Sequence, residues 1–181
     1  MSNTNTGSFA NVACAIWAVA GFAWILLDAI IRLSMLAREG IAGGLTAMQW
    51  LTLILFVLFM AYTEGYRGFQ RSFSPRTAAR AYYLYRHPEV APGFFAPLFC
   101  MGFFRATAKP LWFAWLGTTL IVLLIISLRF MPQPWRSIVD CGVVVGLSWG
   151  LISFLACTWR AFSQGSYPVS PEVPDYNHND H

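Results

Sequence analysis

The 181-residue chain predicts an all-α integral membrane bundle of four transmembrane helices, with an amphipathic cytoplasmic helix between spans two and three. Three observations lead there. Hydrophobic residues make up 57% of the chain and charged residues only 11%, where a soluble domain carries about 25% charge. Mean hydropathy is +0.53. Four long runs are nearly free of charge, and most Lys and Arg side chains gather in the connection between two of them. In a soluble protein the net charge of +4 would suggest a nucleic-acid partner. Here the basic residues flank apolar runs, so topology accounts for them and no nucleic-acid partner is expected.

A membrane-crossing helix needs about 20 predominantly apolar residues. The first run spans about 9–36 and is interrupted by Asp28 and Arg32. The second, about 47–66, is uncharged until Glu64. The third, about 111–131, is uncharged until Arg129, and the fourth, about 137–159, carries Asp140 near its start. Each must be helical, because a lone strand in lipid leaves its backbone groups unpaired. "REGIAGG" and "PQPWR" supply turns after the first and third. The segment "GFFAPLFCMGFF", 93–104, is too short to cross and contains Pro97. It reads as an interfacial or re-entrant helix, with a fifth span over about 88–108 as the alternative. Residues 1–166 form one helical domain on this reading. The polar, proline-containing tail 167–181 is expected to be disordered.

Orientation follows from the basic residues. Arg67, Arg71, Arg76, Arg80, Arg86, Arg105 and Lys109 lie between spans two and three. The positive-inside rule makes that connection and both termini cytoplasmic. One local signal runs the other way: the first span has no charge before it and Arg32 and Arg38 at its end. The larger cluster sets the expectation. The first ten residues lack a basic n-region, so no cleaved signal peptide is expected.

Within the basic connection, "SPRTAARAYYLYR" has the marks of a helix. Ser74 suits an N-cap and Pro75 the first helical position. Arg76, Arg80, Tyr83 and His87 then share a face at three- and four-residue spacing. Tyrosine and arginine favour head-group depth, so the expected helix lies on the cytoplasmic surface. The bland reading of its charge is orientation and general surface attraction. The sharper one is a site for anionic, phosphate-bearing lipid heads at Arg67, Arg71, Arg76, Arg80, Arg86 and His87, since arginine pairs bidentately with phosphate.

Two resemblances bear on this region. Arg86-His87-Pro88 resembles the Arg-His-Pro element of membrane-bound isoprenylcysteine-type methyltransferases over three residues, without the acidic, Tyr-rich cofactor region downstream. The wider stretch "EGYRGFQRSFSPRTAARAYYLYRHP", with "PQPWRSIVDCGVVVGL", resembles a family of small bacterial polytopic integral membrane proteins with no assigned activity. That resemblance implies a polytopic membrane protein and supplies no activity, cofactor or site.

Charges inside spans are expensive and are candidates for function. Asp28 and Arg32 share a helical face, and Arg129 and Asp140 flank the turn between the third and fourth spans. They suggest one buried network, structural in the bland reading and a proton or ion relay in the sharper one. Glu64 is three and seven residues before Arg67 and Arg71, which suggests an ion pair. Gly142, Gly146 and Gly150 form G-x-x-x-G twice, a strip for close helix approach. Ala10, Cys14 and Ala18 of the first span offer a partner, and a homo-oligomeric seam is the alternative.

The four cysteines sit in apolar stretches without metal-ligand spacing, and no histidine lies in a span. No metal or cofactor is expected, nor is there a P-loop, a G-x-S-x-G or a dinucleotide fingerprint. The expected function is therefore non-catalytic: a small membrane subunit or scaffold packing against protein partners or lipids. A small transport or channel protein using the Asp/Arg network is the alternative. A membrane enzyme acting on lipids is the second alternative.

Overall fold

A computed structural model describes residues 9–87, 93–165 and 169–173. The described residues contain helices and no strand. In order they are α1 (Phe9–Ala42), α2 (Ala47–Met60), a π-helix (Ala61–Phe73), α3 (Ser74–Arg86), a 3-10 turn (Gly93–Phe95), α4 (Ala96–Cys100), α5 (Ala108–Leu128) and α6 (Trp135–Gln164).

Three helical runs are long and apolar enough to cross a membrane: Asn11–Ala42, Ala47–Arg86 and Trp135–Gln164. The remaining expected span, the third, coincides with α5, whose apolar part, Ala114–Leu128, is shorter. The chain is thus an all-helical protein with apolar helices of membrane-spanning length. Expected as a single domain, it divides into two compact units. One comprises Met1–Trp24, Ser74–Trp115 and Phe154–His181, the other Ile25–Phe73 and Leu116–Ser153.

Local chemistry explains the element boundaries. Gly44 turns the chain after α1 at φ 85°, a conformation that costs glycine little. Thr46 then caps α2 reciprocally with Gln49: Thr46 N–H donates to Gln49 Oε1 at 2.9 Å, and Gln49 N–H donates to Thr46 Oγ1 at 3.4 Å. The expected N-cap at Ser74 does not form, because helical structure runs straight through from α2 into α3. Pro75 lacks an N–H and would press on the carbonyl of Arg71 in a regular helix. The wider i→i+5 turns that end at Phe73 relieve that conflict.

The first unit is built around α3. Ala81, Tyr83 and Leu84 of α3 pack with Ala18 of α1 and with Ala96, Phe99 and Cys100 of α4. Phe22 and Phe154 meet edge to face at 4.8 Å. α3 is therefore a core element and not the surface helix expected, since from Ser74 to Leu84 only Pro75 and Arg76 escape burial. α4 has five residues, about 7 Å of helix. Among the described residues of this region no helix is long enough for the alternative fifth span over about 88–108, of which 88–92 lie outside them. Residues 169–173, expected within a disordered tail, pack here too: Val173 is in the core and Thr107 N–H donates to the Glu172 carbonyl at 3.0 Å. The rest of the expected tail lies outside the described residues.

In the second unit the glycine strip of α6 meets α2 and the π-helix. A Cβ at Gly142 would lie 2.5 Å from Phe56 Cε1, one at Gly146 3.0 Å from Glu64 Oε2, and one at Gly150 2.6 Å from Phe69 Cγ. The strip thus receives large side chains of the second helical run within the same chain, and not the small residues of the first span. Trp149 Nε1–H donates to Gln70 Oε1 at 2.8 Å beside it. Side chains of α5 from Leu116 to Ile126 are exposed on nearly every side.

Candidate functional site

The expected basic face of α3 separates into buried and exposed parts. Arg80 is 3% exposed. Its Nε–H donates to the Phe99 carbonyl at 2.7 Å and Nη1–H to the Pro171 carbonyl at 3.2 Å. Nη2–H donates to the carbonyls of Phe104 at 2.9 Å and Arg105 at 3.3 Å. The guanidinium also lies 4.3 Å from the Phe99 ring centroid. No carboxylate among the described residues is within ion-pair distance of it. Four backbone dipoles take the place of a counter-ion.

This clamp needs an irregular stretch, since a regular helix spends its carbonyls on itself. The segment after α4 provides one. Gly102 and Arg105 adopt positive φ, 87° and 47°, which turns successive carbonyls toward Arg80. Cys100 sits alongside, and burial pushes its thiol pKa up to about 12 despite the opposing pull of Arg80. Arg80 is thus committed internally, and the expected lipid-facing role does not match its placement.

The other basic candidates are more accessible. Arg76 is half-exposed, 3.8 Å from Glu172. Arg86 is exposed, and the His87 ring packs 4.7 Å from Tyr83. In the second unit Arg67 and Arg71 are exposed, Arg71 lying 5.7 Å over the Tyr66 ring.

The expected intramembrane charges form two local pairs and not one network. Asp28 Oδ2 and Arg32 Nε are 2.9 Å apart on α1, with side chains 45% and 76% exposed. Asp140 is buried, and its partner is Arg136, four residues earlier, at 3.8 Å between Oδ2 and Nε. Neither atom of that pair makes a hydrogen bond. Arg129 is exposed and pairs with no described carboxylate. Glu64 rests against Gly146, and it makes no ion pair with Arg67 or Arg71. Four residues separate partners in both pairs, so helical spacing alone could have found Arg136. Nothing in the sequence marks the four carbonyls around Arg80.

Among the described residues no group of three or more His, Cys, Asp or Glu side chains could hold a metal ion. No family model matches the chain, and neither curated proteins nor solved structures give a match.

Proposed function

We propose that this chain is a non-catalytic integral membrane protein, a small subunit that packs against a protein partner in the bilayer. The reading places four spans across a bacterial inner membrane, α5 among them, with both termini cytoplasmic. The observation that carries it is the Asp28–Arg32 pair. Both side chains are substantially exposed on α1, among exposed Ile25, Leu27, Ile31 and Met35. A charge pair facing hydrocarbon is expensive, whereas a partner helix with polar groups would cover it. The exposed apolar girth of α5 supports the same reading, because it offers further contact area to a neighbour or to lipid.

The test is purification from native membranes in mild detergent, followed by the mass and composition of the intact complex. A stoichiometric partner that is lost when Asp28 and Arg32 are both changed to Leu is the expected result. An isolated chain whose behaviour that double change leaves untouched would overturn the reading. The transport alternative draws on Asp140, buried with an oxygen that accepts no hydrogen bond. It requires that Asp140→Asn abolish flux in liposomes at normal abundance. The lipid-enzyme alternative loses Arg80 from its proposed face.

A further inference from the structure

A groove of about 490 Å³ lies within the first unit, in the size range of small-ligand sites, about 300–1,000 Å³. Ala15, Ala20 and Ala23 of α1 line one side, and Tyr85 of α3 with Leu155 and Phe162 of α6 line the other. Alanines at these positions leave room that larger side chains would fill.

Besides the Tyr85 phenol, one polar side chain interrupts the apolar lining. Thr158 borders the groove, is 8% exposed, and its Oγ1 has no hydrogen-bond partner. Other helix hydroxyls here satisfy themselves on the carbonyl four residues earlier: Thr52 on Met48 at 2.9 Å, Thr63 on Phe59 at 2.8 Å and Ser127 on Leu123 at 2.8 Å. Thr158 does not. A buried hydroxyl without a partner is costly, so an acceptor delivered by a ligand would be well bound.

The surroundings identify that ligand. Trp17 and Trp159, on two of the three helices lining the groove, are 49% and 76% exposed. Exposed tryptophan marks the depth of the membrane interface, the level at which glycerol ester carbonyls sit. Arg86 and Arg160, each one residue from a bulky aromatic at the groove or beside it, are exposed cations. We propose that the groove holds one acyl chain of an anionic glycerophospholipid, with Thr158 Oγ1–H donating to its ester carbonyl. The proposal rests on the membrane reading above and not on any protein partner.

The test uses the full-length protein in nanodiscs of phosphatidylglycerol and phosphatidylcholine, doped with a phosphatidylglycerol that carries a photoreactive group on its acyl chain. Ester-linked and ether-linked forms of the probe are compared. Photolabel should map to the peptides bearing Ala20 and Leu155. The ester probe should label roughly fivefold more than the ether probe, the equivalent of one hydrogen bond. Thr158→Val should erase that preference, and Ala20→Phe should remove groove labelling of both probes. Equal labelling by both probes in the unaltered protein would overturn the proposal, and that comparison needs no variant to fold. Label confined to other surfaces, or a crosslink through the groove to a second copy of the chain, would also overturn it. Retention in membranes after alkaline carbonate extraction, measured separately, reports whether the membrane reading itself stands.

Discussion

Replacing Arg80 by Met tests whether the clamp is structural. The change keeps side-chain length and removes every donor. The carbonyls of Phe99 and Pro171 lose buried, charge-assisted bonds, each contributing about 1.5–3 kcal/mol. Those of Phe104 and Arg105 are partly exposed and regain water, so they add little. Loss of the contact with the Phe99 ring adds about 1 kcal/mol. Removing a desolvated charge offsets part of the total, leaving a net destabilisation of about 3–5 kcal/mol. For a chain of this size that lowers the midpoint of thermal unfolding by about 10 °C. The assay is thermal melting in detergent, paired with maleimide labelling of Cys100, which is 1% exposed, in a background lacking the other three cysteines. Arg80→Met should melt early and expose Cys100, and Arg80→Lys should recover part of the loss. Wild-type melting, a protected Cys100 and reduced anionic-lipid binding together would refute the clamp and restore the lipid-facing role.

Other outcomes follow from the same geometry. Gly142→Val and Gly150→Val should each cost about 1–3 kcal/mol by overpacking, while Gly117→Val, with open space around it, should leave the melt within about 1 kcal/mol of wild type. Asp140→Asn leaves the partly buried Arg136 without its partner and should lower both melting temperature and abundance by more than Asp28→Asn in detergent, where the exposed pair contributes under about 1 kcal/mol. Cys100 titrates at about 12 in the folded chain against 9.0 for a free thiol. The unfolded state therefore releases its proton first, and stability measured by melting should fall as pH rises from about 9 to about 10, above which the burial-lowered pKa of Arg80, about 10, works in the opposite direction. Cys100→Ala should flatten that fall.

The positions of the helices were legible because charge-free runs of about 20 residues leave the backbone no alternative in lipid. Side-chain partners were not. Arg76 and Arg80 are alike in sequence, one turn apart, yet one is half-exposed and the other is enclosed by three carbonyls nineteen to twenty-five residues away and a fourth ninety-one residues away. Such acceptors leave no trace in composition, since any residue supplies a carbonyl. The glycine strip announced a close approach but not its occupant, because what fills it depends on where the π-helical turns direct Glu64 and Phe69. For Asp140 the sequence offers two arginines, Arg129 across the turn and Arg136 on its own helix, and helical spacing favours Arg136, the partner it has. Thr158 resembled any helix hydroxyl until its missing back-bond could be seen.

The arginine clamp also has a schedule. Its acceptors arrive at very different times during synthesis: the Phe99 carbonyl nineteen residues after Arg80, the Pro171 carbonyl ninety-one residues after it. At about 5–20 residues per second, the last bond waits some 5–20 seconds, during which the final apolar helix is made. Until then the guanidinium has only part of its shell, and water must complete it. Three of the four acceptors are thus in hand early, and the clamp is completed only once residue 171 has been made.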